Sequence, residues 1–175
     1  MEVEIKAKIE NRENVENKLR KLGAIFVGEE TEEDIYFQHP SRNFALTDEA
    51  LRIRNGKVLT YKGPKVDKDT KSREEIEVNI ENGNKMRKIL KKLGFKPVAK
   101  VRKIRRIYKI GEVTVSIDHI DLLGDFVEIE CIGEYSSSRH KVFQLATLLE
   151  LREFIRKSYL ELLIEKIGRI KDQGL

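Results

Sequence analysis

The fold is decided by the stretch MEVEIKAKIE, residues 1–10, in which charged and apolar side chains alternate at every step. Glu2, Glu4 and Lys6 fall on one face, and the apolar side chains fall on the other. A repeat of two residues is the signature of a β-strand. For this strand alone, the simpler interpretation is an edge strand whose charged face lies in water. The alternative is that the charged face lines the inside of a closed structure.

The composition predicts one well-packed domain without a membrane segment. The 175 residues are 39% hydrophobic, which is enough to bury a core, and the lone Cys131 cannot form an internal disulfide. No apolar run approaches the roughly 18 residues of a membrane span. We therefore expect a cytoplasmic protein without a signal peptide, made of a single domain over residues 1–168 and a frayed tail over residues 169–175. The net charge of +5 favours an anionic partner.

An internal repeat indicates how many strands the domain contains. The tripeptide Ile9-Glu10-Asn11 recurs as residues 80–82, and Lys21-Leu22-Gly23 recurs as residues 92–94. Each copy contains a strand, a helix, a Leu-Gly helix stop and a further strand. We therefore predict two related halves that contribute about four strands each.

Charged side chains occupy alternate positions on most of these strands, and they are sorted by sign. The carboxylates come in three pairs, Glu2/Glu4, Glu75/Glu77 and Glu128/Glu130. The cations lie on other strands, at Arg52, Lys62, Lys103 and Arg105. A β-sandwich would turn these charges to solvent and give no reason for the sorting, whereas an eight-stranded barrel encloses room for one small ligand. We therefore predict an α+β fold, an eight-stranded antiparallel β-barrel (tunnel) with helices packed outside.

The chemistry of such an interior favours a metal-bound polyphosphate. Carboxylate oxygens are hard ligands that bind Mg²⁺ or Mn²⁺. Lysine and arginine side chains bind phosphate oxygens. We therefore expect a bound polyphosphate that is held together with one of these divalent cations.

The hairpin around Asn55-Gly56 tests this prediction through its register. A two-residue turn would place Arg52 and Lys62 on opposite faces, whereas a three-residue loop over residues 54–56 would place them on the same face. The tunnel requires the second arrangement, which leaves Arg54 at the end of the loop. The polar segment 63–72 follows and is predicted as a mobile loop. Such a segment is usually solvated, but it could close over the tunnel mouth.

The charged motifs, taken in chain order, resemble those of the CYTH superfamily of triphosphate tunnel metalloenzymes. The first is Glu2-x-Glu4-x-Lys6, which is weak evidence alone in a chain rich in Glu and Lys. The ordered series over nearly the whole chain is specific, and its further members are Asp34-x-Tyr36-Phe37, Leu51-Arg52-Ile53-Arg54, Thr60-x-Lys62, Arg73-x-Glu75-x-Glu77, Lys103-x-Arg105-x-x-Tyr108, Asp118, the stretch 124–130 and the stretch 158–163.

The resemblance implies roles for individual residues. It implies metal binding by Glu2, Glu4, Glu77, Asp118, Glu128 and Glu130. It implies triphosphate binding by Lys6, Arg52, Arg54, Lys62, Arg73, Lys103 and Arg105. Direct participation in catalysis is expected of Lys6, Lys103, Arg105 and Asp118.

The resemblance leaves the reaction open between several activities. The stretches 124–130 and 158–163 resemble most the class IV adenylate cyclase branch, which converts ATP to cyclic AMP and pyrophosphate. Other members hydrolyse tripolyphosphate, thiamine triphosphate or nucleoside triphosphates. A non-catalytic binder of polyphosphate or RNA is a further alternative, although aromatic residues, which RNA-binding proteins use for stacking, make up only 7% of the chain. We expect no nucleic acid and no membrane as a partner, and the resemblance allows a homodimer.

Overall fold

Eight strands and five helices make up the computed structural model, which describes residues 1–172. The strands are β1 (Glu2–Ile9), β2 (Ile25–Gln38), β3 (Ala50–Arg54), β4 (Val58–Lys65), β5 (Arg73–Asn79), β6 (Lys96–Ile110), β7 (Val113–Ile120) and β8 (Gly124–Ile132). The helices are α1 (Arg12–Lys21), α2 (Phe44–Thr47), α3 (Gly83–Lys92), α4 (Tyr135–Leu148) and α5 (Tyr159–Asp172). The predicted α+β class with eight antiparallel strands is confirmed.

The strands form a single antiparallel sheet in the order β1-β8-β7-β6-β2-β3-β4-β5. The sheet curls into a half-barrel, so that its two edge strands, β1 and β5, approach each other. Within residues 1–172 no ladder of backbone hydrogen bonds joins these two edges. The segment 66–72 crosses the seam instead, and the Lys71 amide donates a hydrogen bond of 2.8 Å to the Glu4 carbonyl. The predicted tunnel thus takes the form of a curled sheet whose two edges are bridged by the segment 66–72.

The convex face of the sheet carries the main hydrophobic core. Val3 and Ile5 of β1 are buried together with Ile129 of β8, Leu19 of α1 and Val142 of α4. Because side chains alternate along a strand, this burial turns the intervening charged side chains of β1 and β8 to the concave face. The alternation in residues 1–10 thus belongs to a strand buried on both faces, and the solvated edge-strand interpretation is wrong.

Helix α5 departs from the prediction that helices pack only outside. Its residues Tyr159 and Leu163 pack with Val101, Ile120 and Phe126, which belong to the same apolar cluster at the concave side of the sheet. The concave face is apolar there because Val101, Ile120 and Phe126 occupy inward-facing positions near one end of β6, β7 and β8, where charged residues stand farther along these strands. The helix begins with a capping box, in which the Glu161 amide donates to Ser158 Oγ at 3.1 Å and the Ser158 amide donates to Glu161 Oε2 at 2.6 Å.

The two predicted halves share matching helix ends. Asn11 caps α1 by accepting a hydrogen bond of 3.0 Å from the Asn14 amide, and Asn82 caps α3 by accepting one of 2.9 Å from the Lys85 amide. Both helices are followed by a glycine with positive φ, at 82° and 93°, which ends the helix without steric cost. The repeat in the sequence therefore corresponds to two copies of one strand–helix–strand unit.

None of the helices described over residues 1–172 is long and apolar enough to cross a membrane. The predicted frayed tail overlaps α5, which continues to Asp172. Residues 173–175 of that tail lie outside the described residues.

Leu19 of α1 provides a test of the convex core, because its side chain is fully buried in that core. We expect Leu19→Ala to lower the free energy of unfolding by about 2–5 kcal/mol, since it removes buried methyl groups and leaves a cavity. The matched control is Leu46→Ala, because Leu46 is 83% exposed and its truncation should cost less than about 0.5 kcal/mol. Urea denaturation measures both, and equal costs for the two variants would contradict this packing.

Candidate active site

The concave face encloses a cavity of about 580 Å³ lined by both signs of charge. The hairpin between β3 and β4 contributes cations to it because Arg52 pairs with Thr60 and Arg54 with Val58. The connecting loop covers residues 55–57, one residue later than predicted. Arg52 and Lys62 nevertheless lie on the same face, as the tunnel requires. The register also places Arg54 in β3 with its side chain on the concave face, and not at the end of the loop as predicted.

Three of the predicted metal ligands converge at one place in this cavity. Carboxylate oxygens of Glu2, Glu4 and Glu130 all lie within 4.8 Å of one another. Burial, together with the negative charges of Glu130 and Glu4, raises the pKa of Glu2 to about 8. The pKa of Glu130 is also raised, by burial and by Glu4. This group is therefore short of positive charge, and its donor set of hard carboxylate oxygens fits Mg²⁺ or Mn²⁺.

The other three predicted metal ligands each contact a cationic side chain and lie elsewhere on the sheet. Glu128 accepts hydrogen bonds from Lys71 at 2.8 Å and from Arg105 at 2.5 Å. Asp118 is fully buried and accepts two hydrogen bonds from Arg105, at 2.7 and 2.6 Å. The side chain of Glu77 is 53% exposed and lies 3.7 Å from Arg52. The structure places these three residues outside the carboxylate group formed by Glu2, Glu4 and Glu130.

The cations of β3 and β6 are held by a carboxylate pair on β2 that the sequence interpretation missed. Asp34 accepts two hydrogen bonds of 2.8 Å from Arg54, and Glu32 lies 2.8 Å from Lys103 Nζ and 2.9 Å from Arg54. Residues 29–33 are mostly glutamates, and the sequence shows no apolar alternation there that would predict a strand. The long partner β6 extends β2 to Ile25.

Arg52 is a buried cation with a hydrogen-bond donor left unsatisfied by the described residues. Its side chain is 8% exposed and lies 3.4 Å from Asp34. Its Nε is buried without a hydrogen-bond partner among the described residues. Arg52 also lines the cavity, where a guanidinium can donate to the oxygens of a bound phosphate.

The remaining predicted triphosphate ligands also point to the concave face. Lys62 pairs with Glu75, and Arg73 lies 3.3 Å from Asp48. The ammonium of Lys6 donates to the Lys157 carbonyl. Burial and the neighbouring charge of Lys71 lower the pKa of Lys6 well below its usual range.

Tyr159 and Lys71 are two residues of the cavity to which the sequence interpretation gave no role. The Tyr159 hydroxyl donates to Asp118 at 2.7 Å, and its ring lies 4.1 Å from Lys6 Nζ. Lys71 contacts both Glu4 and Glu128. Tyr159 lies within the resemblance motif 158–163, which was the only signal for it. Lys71 lies in the segment predicted as a mobile loop, and only the suggestion that this segment closes the mouth pointed to it.

Glu2→Gln tests the charge deficit of the carboxylate group. Between the ordinary pKa of 4.5 and the raised value of about 8, the unfolded chain releases a proton that the folded protein keeps, so the stability of the wild type falls as pH rises through this range. We expect the variant to melt at least about 2–4 °C higher than wild type above pH 8 in the presence of a chelator, and the difference to disappear below pH 4.5.

The matched control for this prediction is Glu10→Gln, because Glu10 is exposed near the end of the same strand. Thermal melts of the three proteins across pH measure the effect. A Glu2 variant that melts below wild type at high pH would contradict the proposed repulsion among these carboxylates.

Comparison with known proteins places this arrangement in a family. Residues 1–159 match the family model described as CYTH domain. A Methanocaldococcus jannaschii protein, whose name proposes an adenylate cyclase, is 48% identical over 171 residues, which cover 93% of this chain and 98% of that protein.

Solved structures agree with this match. A Pyrococcus horikoshii protein is 44% identical with a TM-score of 0.84, and the alignment covers 95% of this chain and 99% of that one. A Hippeastrum protein, described as a proposed adenylyl cyclase with a dominant triphosphatase activity, shares the fold at 21% identity with a TM-score of 0.67, over 91% of this chain and 93% of that one. The family model and the relatives match along nearly the whole chain, so this protein belongs to the CYTH domain family.

Proposed function

We propose that the protein is a metal-dependent enzyme that binds a nucleoside triphosphate on the concave face and converts ATP to cyclic AMP and pyrophosphate. The observation that carries this proposal is the pairing of two features in one cavity. Glu2, Glu4 and Glu130 form a group short of positive charge, and a set of buried lysines and arginines lies beside it. A metal-bound triphosphate is a ligand that satisfies both features.

The size and lining of the cavity favour a substrate larger than a triphosphate alone. Its volume of about 580 Å³ lies within the range of sites for small organic ligands. Apolar side chains from β2, β3, β6 and α5 line part of it: Tyr36, Ala50, Val98, Leu160 and Ile164. Such a surface suits a nucleoside, and the name of the Methanocaldococcus relative proposes a nucleotide-cyclising activity.

The cations would bind and orient the phosphates. Lys103 and Arg105 lie on β6, where Glu32 and Asp118 hold their side chains in fixed directions. Because the supporting carboxylates are buried, binding requires little reorganisation of the cations, which is how preorganised charges stabilise a phosphoryl-transfer transition state. Arg52, Lys62, Arg73 and Arg54 would contact the phosphates from the opposite strands.

The carboxylates Glu2, Glu4 and Glu130 would hold Mg²⁺ or Mn²⁺. A divalent cation bound there would supply charge neutralisation to the phosphate oxygens. In the cyclase reaction, the ribose 3′-oxygen forms a bond to the α-phosphorus, the bond from that phosphorus to the bridging oxygen breaks, and pyrophosphate leaves. The proton of the 3′-hydroxyl passes to a basic group of the cavity.

Hydrolysis is the second candidate function, and the activity described for the Hippeastrum protein favours it. In that reaction a water oxygen forms a bond to the terminal phosphorus, the bond from that phosphorus to the bridging oxygen breaks, and the diphosphate leaves while orthophosphate forms. The same cations and carboxylates would serve both reactions, since the two differ in which phosphorus lies next to the nucleophile. An RNA-binding role has less support, because the clustered cations are buried and paired within the concave face.

Product analysis distinguishes the two reactions. The protein is incubated with ATP, GTP, thiamine triphosphate or tripolyphosphate and with Mg²⁺ or Mn²⁺, and the products are separated. Cyclic AMP and pyrophosphate support the cyclase, and a diphosphate with orthophosphate supports the hydrolase. No turnover of any of these substrates across temperature and pH would exclude both.

Lys103→Met tests whether the concave cations are the functional ones. We expect kcat/KM to fall at least about 100-fold, because the variant removes a buried charge from the transition state. The matched control is Arg102→Met, since the Arg102 side chain lies on the opposite face of the same strand and is 49% exposed. Steady-state kinetics with folded variants measures both. Equal activities of the two variants would contradict the proposed site.

A further inference from the structure

Lys71 occupies a position among carboxylates where a cation is required. Its side chain is 13% exposed, and its ammonium contacts Glu4 and lies 2.8 Å from Glu128 Oε1. The same Glu4 belongs to the group formed with Glu2 and Glu130. The carboxylates of β1 and β8 therefore form two neighbouring positions for positive charge that share Glu4.

Only one of these two positions is filled by the protein. Lys71 neutralises the position between Glu4 and Glu128, where Arg105 also contacts Glu128. Among the side chains described for residues 1–169, no cation lies within ion-pair distance of Glu2 or Glu130. The charge deficit is thus confined to the position formed by Glu2, Glu4 and Glu130.

The segment that carries Lys71 is fixed to the rest of the protein at several points. Arg156 donates to the carbonyls of Asp67 and Thr70, and the Tyr135 hydroxyl donates to Asp67 at 2.8 Å. Thr70 is 1% exposed. The amide of Lys71 itself is bonded to the Glu4 carbonyl. These contacts hold Lys71 in a fixed position between the carboxylates, whereas the sequence predicted a mobile loop.

We propose that Lys71 serves as a resident second cation, so that the site takes a single divalent cation, at Glu2, Glu4 and Glu130. The inference rests on the proposed function and deepens it by fixing the metal stoichiometry. In two-metal sites for phosphoryl transfer, two divalent ions about 3.5–4 Å apart share the developing charge. Here the ammonium of Lys71 supplies one of the two charges. A lysine suits this role because its charge is compact and carries three donors.

Mn²⁺ binding, measured by electron paramagnetic resonance at one fixed pH, tests the proposal without any substrate. We expect the wild type to bind one Mn²⁺ per chain, with the spectrum of an isolated ion. We expect Lys71→Met to bind a second Mn²⁺, which gives the signal of a spin-coupled pair because the two positions share Glu4. Lys71→Arg keeps the charge and should bind one Mn²⁺. Lys68→Met is the control from the same segment, since Lys68 is exposed, and it should also bind one.

The possible outcomes separate this inference from the proposed function. Two Mn²⁺ per chain in the wild type, or one in a folded Lys71→Met variant, would overturn the role of Lys71 and leave the metal site standing. No bound Mn²⁺ in the wild type would overturn both. Removing one member of a buried ion pair is destabilising, so circular dichroism must show that the Met variant is folded. If that variant does not fold, the wild-type stoichiometry still tests the proposal, because two Mn²⁺ per chain would overturn it.

Discussion

The structure depends on the neutralisation of charges that the curled sheet removes from water. An unpaired buried charge costs several kcal/mol, so each concave side chain needs a partner of opposite sign. The sheet supplies these partners across neighbouring strands, as when Arg105 of β6 contacts Asp118 of β7 and Glu128 of β8. One place is left short of positive charge, at Glu2, Glu4 and Glu130. The fold thus creates a strong preference for a cation at one defined position.

The same pairing explains why the candidate phosphate ligands are well suited to their proposed task. Arg54 is held by Asp34, and Lys103 by Glu32, before any ligand binds. Side chains fixed in this way lose little entropy on binding and present their charges in set directions. The apolar surface around α5 adds room for a nucleoside. Cyclisation and hydrolysis both fit this geometry, because they differ in the nucleophile and in the phosphorus attacked and not in the charges that hold the phosphates.

The faces of the strands could be predicted from the sequence because side-chain direction has a strict period of two. The inward direction of Glu4 and Lys6 and of Lys103 follows from that rule together with the apolar residues between them. The partners could not be predicted in this way, because they depend on the register between strands that are distant in the chain. Asp118, for example, lies opposite Arg105 because of the register between β6 and β7, and no local pattern predicts that contact. The positions of Lys71 and Tyr159 could not be predicted either. Lys71 lies in the segment 66–72 and Tyr159 is the first residue of α5, and neither place follows the period of a strand.

The central claim is that the carboxylates and cations of the concave face bind a metal triphosphate, and a crystal structure with Mn²⁺ and a non-hydrolysable ATP analogue tests it most directly. The account predicts an anomalous Mn²⁺ peak coordinated by Glu2, Glu4 and Glu130, with the triphosphate in contact with Lys103 and Arg52. An analogue bound outside the concave face, or Mn²⁺ bound away from these three carboxylates, would contradict it.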